Sequence, residues 1–174
     1  MRALLDADPT ALSTLPGPPS TKHVTAAQIN AVLSHYDHFL SFAVVRNPFD
    51  RFCSLYRYLA RTQPAKLGGA TFSDFEQLFI EGGLWIEQLH SIKPQVDFVF
   101  SADGTRLVER LIRFESLETG FRALSHDLGI DAPLGRHNVS GEDRGSYRDM
   151  FSLEGRKLIS SRYRVDLETF GYSY

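Results

Sequence analysis

The stretch that most constrains this chain runs from Phe39 to Arg61. There a short apolar run, Phe39 to Val45, passes through Arg46-Asn47-Pro48 into an amphipathic segment. An apolar run of this length, rich in β-formers and closed by a turn, fits a buried strand. Proline suits a helix only in the first turn, where its missing N–H would have no partner. The predicted order is therefore strand, turn, helix, with Arg46 delivered at the carboxyl end of the strand. Beyond Pro48, the residues Phe49, Phe52, Cys53, Tyr56, Leu59 and Ala60 recur at helical spacing and form one apolar stripe. Asp50, Ser54, Arg57 and Arg61 fall along another flank, so Ser54 faces away from the core stripe.

The rest of the chain continues the alternation. Thr25-x-x-Gln28 has the spacing of a capping box for a helix carrying Ile29, Val32, Leu33 and Tyr36, with His23 just ahead of it. Gln63 to Ala70 is a predicted loop, and Thr71 opens a helix bearing Phe72, Phe75, Leu78 and Phe79 that Gly82-Gly83 ends. Trp85 to Ile92 is expected as a short helix, Val96 to Phe100 as a strand and Asp103-Gly104 as a turn. Val108 to Phe114 fits helix or strand on pattern alone. The helix that follows, with Leu117, Phe121, Leu124 and Leu128 and a stop at Gly129, favours a strand ending near Phe114. Residues 131–149 are expected as a polar surface loop, and a last helix spans about Leu153 to Tyr163. Strands alternating with helices imply an α/β layer structure with a mainly parallel sheet. Ligands of such sheets bind beyond the carboxyl ends of the strands, where Arg46 and Glu115 fall. Residues 1–22, broken by Pro9, Pro16, Pro18 and Pro19, are expected to be extended, leaving 23–174 as a single domain.

A chain of 174 residues, 43% hydrophobic and 23% charged, has enough apolar side chain for a real core. Its formal net charge of −2 offers no general attraction for nucleic acid or an anionic membrane, so an anion site must be a local cluster of arginine and lysine. One cysteine, Cys53, excludes an internal disulfide and a cysteine-rich zinc site, and its place on the apolar stripe marks a buried structural thiol. His35-x-x-His38 has no third ligand nearby in the sequence, and no metal is expected. No run approaches the ~20 apolar residues of a membrane span, and the start lacks the pattern of a signal peptide. A cytoplasmic protein is the default expectation.

Chemistry concentrates between Arg46 and Ser54. A phosphate monoester needs several fixed donors; a guanidinium supplies a planar fork, a serine hydroxyl one more bond, and the first N–H groups of a helix a favourable dipole. The competing reading is that Arg46 pairs with an acid such as Glu115 and that Ser54 is an incidental surface hydroxyl. Arg51, Arg57 and Arg61 either extend the anion site or form an exposed basic face. His90 and Gln95, with Trp85 and Gln88, either border an acceptor pocket or serve packing and a polar turn.

Residues 42–56, Phe-Ala-Val-Val-Arg-Asn-Pro-Phe-Asp-Arg-Phe-Cys-Ser-Leu-Tyr, resemble the 3′-phosphate-binding motif of sulfotransferases that use the sulfate donor PAPS. Further pieces are similar to the carbohydrate sulfotransferase branch. They are Lys22-His23-Val24-Thr25, Arg113-Phe114-Glu115-Ser116-Leu117, His137-Asn138-x-Ser140 and Tyr163-x-x-Asp166-Leu167-Glu168-x-Phe170-Gly171-Tyr172. The resemblance implies the P-loop-like α/β sulfotransferase fold, with a mainly parallel sheet flanked by helices. It also implies Arg46 and Ser54 on the 3′-phosphate of PAPS, His23 as the base, and in-line sulfuryl transfer to a hydroxyl of a small molecule or carbohydrate. One family signature is missing: no strand and Lys/Gly/Thr/Ser-rich loop for the 5′-phosphosulfate precedes Arg46. The expected fold is therefore N-terminally shortened, Lys22 either contacts the leaving phosphate or is solvated surface, and the alternative function is a noncatalytic nucleotide-binding or interaction domain.

Overall fold

The computed structural model of the protein describes residues 24–33, 36–82, 85, 88–130, 134–135 and 146–174. In chain order the elements are α1 (Ala26–Val32), β1 (Phe42–Val45), α2 (Pro48–Thr62), α3 (Pro64–Leu67), α4 (Phe72–Ile80), α5 (Val96–Val99), β2 (Arg110–Arg113), α6 (Leu117–Asp127), α7 (Leu153–Arg162) and α8 (Arg164–Phe170). Single 3-10 turns occupy Tyr36–His38, His90–Ile92, Phe114–Ser116 and Tyr147–Asp149. The chain divides into two compact units, one of residues 1–45 and 95–134, the other of residues 46–94 and 135–174.

In the first unit β1 and β2 pair in parallel, Phe42 opposite Arg110 and Val45 opposite Arg113. The strand at Phe42–Val45 and the strand closing just before Phe114 match the sequence expectation, as does the parallel pairing. The buried character of β1 does not. Only Val45 is buried, while Phe42 and Val44 are 48% and 43% exposed. A parallel strand needs cover on both faces, and in this unit α6 covers β2: a Cβ on Gly120 would stand 2.5 Å from Ile112 Cγ2. Thr25 and Gln28 form the expected capping box at the start of α1.

The predicted strand at Val96–Phe100 is instead the one-turn helix α5, closed by Phe98 N–H to Gln95 and Phe100 N–H to Val96. Val96 and Val99 share a face at i, i+3, and Val99 is the buried one, in an element that packs on α1. Strand geometry survives only in the single bridge between Phe100 and Arg106, across the turn at Asp103-Gly104. There Asp103 accepts from Thr105 N–H and from the Ser101 hydroxyl, which holds its carboxyl below the usual range.

The second unit is helical among its described residues, and its core is aromatic. Phe52 of α2 meets Phe72, Phe75 and Phe79 of α4 and also Phe151, with ring centroids 4.9–6.0 Å apart. The stripe forecast for α2 holds at Phe49, Phe52, Cys53 and Leu59, all buried, and fails at Ala60, which is exposed. Tyr56 is half-buried, its hydroxyl donating to Ala70 O. The predicted loop 63–70 contains α3, because Pro64 starts a turn, Leu67 anchors it in the core and Gly68 closes it at φ 58°. Helix α4 follows the expectation closely, with Thr71 and Asp74 completing a capping box. Past α7 the chain forms α8, which the apolar pattern did not forecast.

Candidate functional site

Val45 closes β1, Arg46 follows, and Asn47 caps α2. The cap has a simple cause: the Asn47 Oδ1 accepts from Phe49 N–H at 3.0 Å, and Pro48, which has no N–H to satisfy, occupies the first helical position. The first turn of a 15-residue helix thus stands directly behind Arg46. Arg46 does find an acid, but it is Asp50, one turn into the motif itself. Nε donates to Oδ2 at 2.6 Å, with both side chains largely shielded at 16% and 23% exposure. Ser54 follows Asp50 by one turn, about 6 Å along the helix axis, and is half-buried. Asp50 and Ser54 therefore share one flank of α2, and the ion pair with Asp50 turns Arg46 toward the same side.

The other arginines of the segment divide. Arg61 is exposed. Arg57 lies against Met150, its Nη2 3.2 Å from the sulfur. Arg51 belongs to neither alternative the sequence offered, because it is a largely shielded structural cation, its side chain 19% exposed. Its Nε and Nη2 donate to Ser91 O at 3.0 and 2.5 Å, Nη2 also donates to Lys93 O, and Nη1 lies 3.8 Å from Asp166 Oδ2. Tyr163 lies under the guanidinium at 5.6 Å and donates its own hydroxyl to Ile92 O at 2.6 Å. Burial pulls the Arg51 pKa down, opposed by Tyr163 and Asp166, and burial pushes the Tyr163 phenol up. The residues that accept from Arg51, Ser91 and Lys93, adjoin His90, so this cation sets the backbone that carries His90.

His23, Lys22, His35, His137 and Asn138 lie outside the described residues. His38 is exposed beside Asp37. Trp85 packs near Phe75, with ring centroids 6.3 Å apart, which is the packing alternative for that residue; Gln88 is exposed. Glu115 is exposed within the Phe114–Ser116 turn. Among the described residues no group of three His, Cys, Asp or Glu side chains is placed to hold a metal ion, and no helix is long and apolar enough to cross a membrane.

Cys53 is fully buried, as its place on the stripe implied, and burial pushes its thiol up to about 12. An unfolded cysteine ionises near pH ~8.5. At pH 8 the folded chain should therefore resist iodoacetamide while the urea-unfolded chain is alkylated, a contrast that mass spectrometry reads directly. Because the folded value is the higher one, this thiol favours folding at low pH, and that contribution falls as pH rises from the unfolded value toward 12.

Sequence reasoning gave no task to two polar groups that are 0% and 4% exposed: Asp166, quoted only within the closing motif, and Glu76. Each sits in an apolar stripe at helical spacing, between Tyr163 and Phe170 in one case and between Phe72 and Phe79 in the other. That position was the available signal. Asn47, at 7% exposure, was quoted as part of the motif but given no task; its amide reaches across the unit to Tyr147 Oη at 3.3 Å and Ser173 O at 2.8 Å.

Comparison with curated proteins and with solved structures returns no match. A family model described as the sulfotransferase family matches residues 17–95, somewhat less than half of the 174-residue chain. The matched stretch takes in His23, the whole Arg46 to Ser54 segment and the backbone that Arg51 holds, and ends before α5.

Proposed function

We propose that the chain is a sulfotransferase that binds PAPS through Arg46 and Ser54 and passes its sulfuryl group to a hydroxyl, of a carbohydrate or another small molecule. The observation that carries this reading is the arrangement at the start of α2 within the matched family segment: a shielded guanidinium oriented through Nε by Asp50, a capped helix N-terminus, and a serine on the same flank. A 3′-phosphate needs that combination of planar donor, helix dipole and hydroxyl. In the transfer the acceptor oxygen attacks sulfur and the bond from sulfur to the 5′-phosphate oxygen breaks. Adenosine 3′,5′-bisphosphate leaves, and the acceptor proton passes to a base, for which His23 is the proposed residue. Like phosphoryl transfer, the step depends on alignment and on stabilising charge at the leaving oxygen.

Calorimetric titration with adenosine 3′,5′-bisphosphate tests the donor site. A charge-assisted hydrogen bond contributes ~1.5–3 kcal/mol, so Arg46→Ala should weaken binding about 10- to 150-fold, and Ser54→Ala, losing a neutral bond of ~0.5–1.5 kcal/mol, about 2- to 10-fold. Binding unchanged by Arg46→Ala sinks the assignment. Bisphosphate binding without consumption of PAPS in the presence of acceptor hydroxyls would mark a noncatalytic nucleotide-binding domain.

A further inference from the structure

The N-terminus of α2 is not held by its own sequence neighbours alone. Asn47 presents Oδ1 to the helix and Nδ2 to two residues far along the chain, the Tyr147 hydroxyl and the Ser173 carbonyl. The adjoining Phe49, with no exposed surface, is boxed by the same two segments. Tyr147 stacks on it at 6.3 Å and Tyr174 meets it edge-on at 4.8 Å. Tyr174 is itself gripped. Its hydroxyl donates to Arg148 O, and the guanidiniums of Arg148 and Arg156 lie 5.5 and 4.3 Å from its ring centroid. A buried amide with its acceptor and both donor directions committed has one orientation, and both groups that take its donors lie outside the α2 segment.

We infer that Asn47 is a positioning residue: through it, Tyr147 and the Ser173-Tyr174 segment lock the start of α2 and so set the Arg46 anion site. This rests on the donor-site reading for its functional consequence, though not for the lock itself. Arg46 precedes Asn47 directly, so its backbone direction follows the cap. The helix dipole that would favour a phosphate beside Arg46 is directed by the turn that Asn47 and Phe49 begin. Loss of the lock should therefore weaken the anion site without removing any group that touches the ligand.

Two measurements decide it. Hydrogen exchange of the amides of residues 49–52 needs no ligand. Tyr174→Ala and Asn47→Ala should accelerate it at least tenfold, while Tyr174→Phe, which keeps the ring between the two arginines, should stay within twofold of wild type. Titration with adenosine 3′,5′-bisphosphate, well below each variant's unfolding midpoint, should show Tyr174→Ala weakened about tenfold, Tyr174→Phe near wild type, and the effects of Tyr174→Ala and Arg46→Ala less than additive. Wild-type exchange rates and wild-type affinity in a folded Tyr174→Ala chain overturn the inference, as does full additivity with Arg46→Ala. If the wild-type chain binds no bisphosphate, the donor-site reading and the inferred consequence for it both fall, and exchange alone then upholds or refutes the lock.

Discussion

Replacing Arg51 by alanine should destabilise the helical unit by about 3–5 kcal/mol, the usual consequence of taking the cation away from a buried carboxylate. The guanidinium lies 3.8 Å from Asp166, whose side chain has no exposed surface, and donates to the carbonyls of Ser91 and Lys93. Deletion leaves a carboxylate in the interior without that cation and two backbone acceptors without their donor, and each loss costs more than an ordinary hydrogen bond contributes. Urea unfolding followed by circular dichroism measures the effect. Arg51→Lys should recover only part of it, since one ammonium cannot reproduce a fork reaching two carbonyls at once. Arg61→Ala, at an exposed position on the same helix, should stay within about 0.5 kcal/mol of wild type. If Arg51→Ala unfolds at the wild-type midpoint, the carbonyls and Asp166 are satisfied by other means and the structural role assigned to this cation is wrong. A functional cation at Arg51 would give the opposite pattern, with stability kept and ligand affinity lost.

How far the sequence led can be judged on the same residues. Elements with a local cause were legible: Thr25 with Gln28 and Thr71 with Asp74 box their helices through side chains three residues apart, and Asn47-Pro48 starts α2 by chemistry confined to two residues. The placing of Ser54 beyond Asp50 was legible because one helix fixes both residues. What was hidden depends on partners remote in the sequence. Val96 to Phe100 is rich in β-formers like a strand, yet packing against α1 selects one helical turn. Helix α8 escaped because its inward stripe, Tyr163, Asp166 and Phe170, contains a carboxylate, which breaks an apolar pattern while satisfying the burial. Arg51 was grouped with Arg57 and Arg61, as anion site or exposed basic face, because its four polar contacts lie 40 or more positions away. Buried charge is thus the part of this fold least visible in composition or period, and the segment that triggers family resemblance mixes it with surface charge residue by residue.

Gly155→Ala offers a case in which local propensity and packing predict opposite signs. Gly155 lies in the first turn of α7, and alanine in a helix interior is favoured over glycine by ~1 kcal/mol, so propensity alone forecasts a gain. A Cβ there, however, would stand 1.8 Å from Glu76 Oε1 and 2.3 Å from its Cδ. The carboxylate is the far end of a flexible side chain, but it has little room to move. It is 4% exposed and its oxygens accept from Ser152 N–H at 3.1 and 3.4 Å, at the cap of the same helix. Turning it aside gives up that bond and leaves an interior carboxylate poorly solvated, so the expected outcome is a loss of about 2–4 kcal/mol. The cause can be isolated by a double-mutant cycle. In a Glu76→Ala background the obstacle is gone, and Gly155→Ala should then be neutral or stabilising by up to ~1 kcal/mol, with a coupling of about 2–5 kcal/mol between the two sites. If Gly155→Ala destabilises equally in both backgrounds, the glycine is required for some reason other than Glu76. If it stabilises the wild-type chain, the close approach of α4 to the first turn of α7 is not maintained in solution.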